Sequence, residues 1–162
     1  MNINSSSSHR SEEPESGVLY IVGTPIGNLS DISFRAIDTL RSVDFVFAED
    51  TRHTKKLFSR YEISTPLISC HKFNETKKSK EIIAKINNDK SIALVTDSGM
   101  PCISDPGSRV IQICRESNIP ITSIPGPTAL TTALSMAGCS ESGFIFHGFL
   151  PHKMGARRKN LL

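Results

Sequence analysis

The chain has 162 residues and a formal net charge of +3, with 38% hydrophobic and 22% charged residues. This composition is typical of one soluble globular domain with a core of its own. No apolar run approaches the roughly 20 residues that a membrane span needs, so we expect no membrane partner. The four cysteines lie far apart, without the paired spacing of zinc or redox motifs, which favours free thiols in the cytoplasm: Cys70, Cys102, Cys114 and Cys139.

Residues 1–16 are rich in Ser and Glu and show no hydrophobic period, which predicts a disordered leader. The apolar run 18–22 then predicts a strand. A loop follows, and either Ser30 or Asp31 is expected to cap the helix after it.

The loop that begins at Gly23 does not favour a dinucleotide cofactor. The fingerprint G-x-G-x-x-G needs a second glycine two residues after the first, where this chain has Pro25. Because proline has no N–H to offer a phosphate, we expect no nicotinamide cofactor here.

A second predicted strand, 45–48, ends in a group of charged residues. Asp50 can cap a following helix, with Lys55 and Lys56 on a solvated face. Alternatively, Glu49, Asp50 and Arg52 form part of a charged site. The sequence leaves both interpretations open.

The rest of the chain alternates apolar runs with helical patterns. Further strands are predicted at 67–70, 91–96, 121–124 and 144–146, and helices at about 74–87, 108–116 and 129–137, with the last helix lying close to the sheet. Asn74, Asn118 and Gly138 are plausible helix ends. This alternation predicts an α/β fold, a mostly parallel sheet of about five strands with helices on both faces.

In such a fold the carboxyl ends of the strands meet at one edge, which is where ligands bind. Four loops, 23–31, 49–53, 97–107 and 125–129, should converge there. The loop that opens at Asp97 is also shaped by two prolines and two glycines. An ordinary strand-to-helix connection remains the alternative.

Four motifs in this order resemble the small-subunit ribosomal RNA methyltransferase I family of the tetrapyrrole methylase superfamily. They are Thr-Pro-Ile-Gly-Asn-Leu at 24–29, Ala-Glu-Asp-Thr-Arg at 48–52, Asp-Ser-Gly at 97–99 with Ile-Ser-Asp-Pro-Gly at 103–107, and Ile-Pro-Gly-Pro at 124–127. The resemblance implies S-adenosylmethionine as cofactor, bound in a cleft between two α/β domains. It implies as substrate the ribose 2′-hydroxyl of a cytidine in 16S RNA of the 30S subunit, and it leaves a homodimer open.

The resemblance also assigns site residues. Cofactor binding falls on Pro25, Asp97, Ser98, Gly99, Ile103, Ser104, Thr128 and Ala129, with exposed amides around 98–104. The acceptor nucleotide would face Glu49, Asp50 and Arg52, with a carboxylate as base and Arg52 as anchor, and Asp31 is the other candidate acid.

Two departures from the family pattern matter. Relatives have Asp-Ala-Gly-Thr-Pro where this chain has Asp-Ser-Gly-Met-Pro at 97–101, so Met100 cannot supply a hydroxyl. Residues 17–147 would form the cofactor-binding domain, and 148–162 a basic linker toward a second domain that the sequence does not include.

Two alternatives and one exclusion complete the expectations. A corrin-precursor methylase is disfavoured because that branch opens with G-x-G-x-G-D, and a cofactor-binding fragment without catalysis stays possible. No metal is expected at the histidines, whose spacing gives no helical pair and no cysteine partner: His53, His71, His147 and His152.

Overall fold

The structure is a computed structural model that describes residues 15–138 and 143–161. Nearly all of the predicted leader, and Cys139, lie outside the described residues. The other three cysteines are free thiols.

Five short strands form one sheet in the order β3-β2-β4-β1-β5. They are β1 (Leu19–Val22), β2 (Phe45–Ala48), β3 (Leu67–Ser69), β4 (Ile92–Val95) and β5 (Ile121–Ile124). Every pairing is parallel, with Tyr20 opposite both Ala93 and Thr122. The predicted parallel sheet is confirmed, so all strand carboxyl ends do lie at one edge.

The helices alternate with the strands along the chain. They are α1 (Phe34–Ser42), α2 (Thr51–Arg60), α3 (Glu75–Ile86), α4 (Ser108–Glu116), α5 (Ala129–Ala137) and α6 (Met154–Leu161), with a 3-10 turn at Leu29–Asp31 before α1. Helix α6 lies inside the stretch expected to be a linker, and the domain boundary itself stays a prediction.

The sheet has an apolar layer on each face, where it packs against helices. Alternate strand residues such as Val22 and Val46 pack with Leu40 of α1 and Leu57 of α2 on one face. The intervening residues, including Phe47, pack with α3 and α4 on the other face. Because side chains alternate across a strand, runs that are apolar throughout must be covered on both sides, as β1 and β4 are.

Three local predictions were wrong. Ser33, not Ser30 or Asp31, caps α1: its hydroxyl oxygen accepts the Ala36 N–H at 3.1 Å. The residues before it form the 3-10 turn, which delays the helix.

Helix α5 has no buried residue, so it does not lie close to the sheet as expected. Residues 144–146 form no strand. These residues join neither edge strand of the sheet, β3 or β5, and without such pairing and packing their side chains are exposed.

Among the described residues, no helix is both long enough and apolar enough to cross a membrane.

Candidate functional site

The loops after β1 and β4 are joined to each other at the carboxyl edge. Thr24 and Gly99 exchange two backbone hydrogen bonds, with N···O distances of 2.9 and 3.0 Å. The Thr24 hydroxyl also donates to the Thr96 carbonyl at 3.0 Å. These hydrogen bonds fix the position of the Asp-Ser-Gly motif relative to the loop after β1.

The loops after β1 and β5 touch through glycines. A Cβ atom added to Gly126 would lie 2.8 Å from Cα of Gly23, which is shorter than the distances that Cβ atoms keep from other atoms in proteins. The two backbones can therefore approach only because neither residue carries a side chain.

The loop after β4 has an unusual backbone. Between Gly99 and Gly107, which both have positive φ, Cys102 and Ser104 adopt φ of +72° and +63°. Left-handed conformations at residues other than glycine are costly and concentrate at functional sites. The amides expected to be exposed are only partly so, since the Gly99 and Ile103 N–H groups donate to Thr24 and Met100 carbonyls.

Two cavities open on either side of this loop. The one we call the α5 cavity has a volume of about 250 Å³. It is lined by Ile26, Ser98, Gly99, Met100, Ile103, Ser104, Asp105, Thr128, Ala129, Leu130, Phe146, Gly148 and Phe149. Six of the eight residues that the resemblance assigns to the cofactor meet here, and the misassigned strand 144–146 supplies part of the wall.

The other, the α2 cavity, has a volume of about 330 Å³. It is lined by Thr24, Pro25, Gly27, Asn28, Leu29, His53, Thr54, Lys56, Leu57, Thr96, Asp97 and Ser98. Pro25 and Asp97, assigned by resemblance to the cofactor, lie here instead. Ser98 is the one residue that lines both of these cavities.

Thr96, one of the residues that line the α2 cavity, carries an unsatisfied polar atom. Thr96 is 2% exposed, and its hydroxyl oxygen has no hydrogen-bond partner within the described residues. A buried hydroxyl without a partner carries a desolvation cost, which a polar ligand group would remove.

Hydrogen bonds connect the acidic residues that follow β2 and β4. The Asp97 N–H donates to Oε2 of Glu49 at 3.4 Å, and the Asp50 N–H donates to Oδ1 of Asp97 at 3.1 Å. Partial burial, and then the Asp97 charge, raises the pKa of both Glu49 and Asp105. Within the described part of the chain, none of Glu49, Asp97 and Asp105 forms a salt bridge.

Asp50 and Arg52 form a separate unit. Asp50 caps α2 through the Arg52 N–H at 2.8 Å and holds the Arg52 guanidinium at 3.1 Å and 2.7 Å. These hydrogen bonds keep the pKa of the Asp50 carboxyl well below its usual range. Asp50 is therefore a poor proton acceptor, and it is better suited to holding Arg52, whose side chain is 88% exposed.

Asp31 lies on the exposed 3-10 turn and lines neither of these two cavities. The sequence reasoning missed Asn28, Thr96 and Lys56. Thr96 gave a weak signal as the polar last residue of an apolar run, whereas Lys56 looked like a solvated lysine. Among the described residues, no group of three or more His, Cys, Asp or Glu could hold a metal ion, and the expectation of no metal stays a prediction.

Solved structures first define the class of fold. Uroporphyrin-III-C-methyltransferase from Thermus thermophilus superposes with a TM-score of 0.59 at 21% identity, over 78% of this chain and 54% of that one. A putative cobalamin synthesis related protein from Corynebacterium diphtheriae gives 0.57 at 19% identity, over 75% and 58%. The fold is that of an α/β methylase domain.

The sequence comparison then gives the family. The model for tetrapyrrole (corrin/porphyrin) methylases matches residues 18–161, and the chain belongs to this family. S-adenosylmethionine is the cofactor that this family uses.

Three relatives named ribosomal RNA small subunit methyltransferase I are similar over most of the chain. Those from Thermotoga maritima and Vibrio cholerae are 49% and 48% identical over 90% of it, covering 65% and 50% of their own lengths. That from Escherichia coli O157:H7 is 46% identical over 94% of the chain and 54% of its own length. The chain thus spans about half the length of most of the curated relatives it matches.

Proposed function

We propose that this chain acts in S-adenosylmethionine-dependent methylation of small-subunit ribosomal RNA, with the ribose 2′-hydroxyl of a cytidine as acceptor. The observation that carries the proposal is the pair of cavities that share Ser98 as a wall. Two substrates bound in cavities that adjoin at one residue can come into contact beside it, as a direct transfer between them requires.

The α5 cavity suits the methyl donor. It combines apolar side chains for an adenosyl group, including Ile103 and Phe146, with the carboxylate of Asp105. Partial burial, and then the negative charge of Asp97, raises the pKa of Asp105, and a bound cation would offset that repulsion. When bound, the cofactor supplies an electrophilic methyl group on a sulfonium and carries an ammonium as well.

The α2 cavity suits the acceptor nucleoside. The unpartnered hydroxyl of Thr96 and the side chain of Asn28 can meet polar atoms of a ribose or base. His53 and Lys56 are exposed and line the same cavity, where they can contact a phosphate. Arg52, held by Asp50 at the start of the same helix, adds a further anchor.

The residues of the chain then have three tasks. Ser98 and the bonded Thr24–Gly99 pair fix the place where the two cavities adjoin, and there the acceptor oxygen and the donor carbon must come into direct contact. Asp97, which lines the α2 cavity, can accept the hydroxyl proton or orient the hydroxyl. Glu49 holds the Asp97 backbone in place and is a positioning residue.

A transfer assay tests this proposal. The full chain is incubated with small ribosomal subunits, or RNA extracted from them, and S-adenosylmethionine carrying a radioactive methyl group. We expect label in the small-subunit RNA and, because a methylated 2′-oxygen cannot attack the neighbouring phosphate, one phosphodiester bond that resists alkaline cleavage. Label in a base with all bonds still cleavable would refute ribose methylation, and no label in either RNA form would refute the proposed activity.

A further inference from the structure

We propose that the turn 71–74 and the first half of α3 form a second contact surface for single-stranded RNA, outside the two cavities, with Phe73 as a platform on which a base stacks. This inference rests on the proposed function for its RNA substrate. We call the surface, made by Lys72, Phe73, Asn74, Thr76, Lys77 and Lys80, the Phe73 surface.

Phe73 is held out into solvent by a rigid turn. Its side chain is 92% exposed, although most large apolar side chains in this domain are buried. Asn74 fixes the turn, because its side chain accepts the His71 N–H at 2.8 Å and its own N–H donates to the His71 carbonyl at 2.9 Å. The Phe73 N–H donates to Nδ1 of His71, and the two rings meet edge to face at 6.1 Å. The exposed ring is therefore preorganised, which lowers the entropy lost on stacking.

The charges around Phe73 are positive and uncompensated. Lys77 and Lys80 line a depression of about 380 Å³ with Phe73, and neither forms a salt bridge within the described residues. The two acids of the same helix do not cancel them. Glu75 is buried and accepts the Arg109 N–H, and Glu81 is paired with Lys78 at 2.7 Å.

An exposed aromatic ring among free lysines matches a nucleic-acid strand better than it matches another protein. Aromatic rings stack on bases without regard to sequence, and lysines contact the phosphates between them. An apolar protein partner would leave the lysine charges without partners.

The Phe73 surface begins just after β3, so it lies at the same carboxyl edge of the sheet as the proposed site. β3 pairs with β2, and the Cys70 N–H donates to the Ala48 carbonyl at 2.8 Å, immediately before Glu49. An RNA strand that enters the α2 cavity can therefore extend along this edge onto Phe73.

The first test measures binding of the full chain to a short single-stranded RNA of mixed sequence by fluorescence anisotropy. We expect Phe73→Ala to weaken binding by roughly 10-fold, the loss of one stacked base, and Phe73→Trp to restore it. Met136→Ala, which removes another highly exposed apolar side chain, on α5, is the control and should bind as the parent does.

The second test follows salt dependence. Lys77→Ala and Lys80→Ala should each lower the slope of log affinity against log salt by about 0.7, the value for one phosphate contact with a single strand. Lys90→Ala, which removes a lysine paired with Asp44 just before the amino end of the central strand β4, should leave the slope unchanged. Unchanged RNA binding in Phe73→Ala, or a change in oligomeric state on gel filtration in place of weaker RNA binding, would overturn the proposal.

A methyl-transfer assay tests the Phe73 surface separately from the proposed methyltransferase function. With the small subunit as substrate, Phe73→Ala should raise KM for RNA and leave kcat unchanged. If the parent is active and Phe73→Ala has the same KM as the parent, the Phe73 surface alone is refuted. If the parent is inactive, the proposed function is refuted.

Discussion

The two sides of the carboxyl edge are built in different ways. Around the α5 cavity the backbone determines the shape, through the Gly23–Gly126 approach and the left-handed residues of the loop after β4. On the side of the α2 cavity side chains determine the chemistry. They are the unpartnered Thr96, which lines that cavity, and the Asp50–Arg52 pair, which lies at the start of α2 and lines neither cavity. Substitutions on the first side should therefore cost stability, and substitutions on the second side should cost activity at nearly unchanged stability.

The largest effect is expected for the Asp50–Arg52 pair. Arg52→Ala and Asp50→Asn should each lower methyl transfer by about 100-fold, because a misplaced acceptor loses alignment. Melting temperatures should change little, since Arg52 is exposed and Asn caps a helix as well as Asp does. The measurements are turnover with small subunits and thermal unfolding by circular dichroism. Normal turnover in both variants would remove this pair from the site.

On the other side, Gly126→Ala should destabilise the fold by about 1–3 kcal/mol. The new Cβ would meet the Gly23 backbone at 2.8 to 3.0 Å, and backbone atoms cannot move aside cheaply. Urea unfolding measures the loss. Gly155→Ala is the matched control, because its Cβ would meet nothing within 4 Å and alanine favours a helix. Equal stability of the two variants would contradict the close approach.

Thr96→Val gives a smaller and more selective effect. Valine keeps the shape and removes a hydroxyl that bonds nothing within the described protein, so the free energy of unfolding should be unchanged or slightly higher. KM for the RNA acceptor should rise by up to about 10-fold, because one hydrogen bond to the acceptor is lost. Thr65→Val is the control. The Thr65 hydroxyl donates to the Leu40 carbonyl at 2.6 Å, so its loss should lower stability and leave KM unchanged. The reverse pattern would refute the ligand role of Thr96.

The smallest effect concerns Glu49. Its raised pKa means that the folded state favours the protonated form, so this contribution to stability is present at low pH and is lost as pH rises through the folded pKa. Glutamine at this position cannot ionise, so Glu49→Gln avoids this loss of stability at high pH. The melting temperature should rise by roughly 1–3 °C near pH 7, and the difference from the parent should close toward about pH 4. Glu81→Gln, at a surface pair with Lys78, should show no such gain. A gain for Glu49→Gln that is the same at both pH values would argue against an electrostatic cause.

The sequence predicted the sheet well because its signals are local. The strands β2 and β5 and the helix α4 have the predicted bounds, since short apolar runs and helical periods are each signals within a few residues. The cap of α1 was missed because Ser30, Asp31 and Ser33 are all good capping residues. Only the 3-10 turn before the helix decides among them.

The roles of the candidate site residues stay predictions, and the sequence indicated only part of how the structure groups them. The motif residues Ser98, Gly99 and Thr128 do meet in one cavity, but the division into two cavities depends on the Thr24–Gly99 bridge, which joins residues far apart in sequence. Nor could an apolar helical pattern show that α5 has no buried residue, because periodicity gives the apolar face of a helix and not what covers it.

The most direct test of the central claim is a nuclear magnetic resonance titration of the isotopically labelled full chain with S-adenosylmethionine, followed by a cytidine-containing RNA oligonucleotide. The account predicts that the cofactor shifts the backbone amides of Gly99, Ile103 and Ala129, and that the RNA then shifts those of Asn28, Thr54 and Leu57. Shifts by the cofactor confined to the α2 cavity, or by both ligands at one and the same cavity, would contradict it.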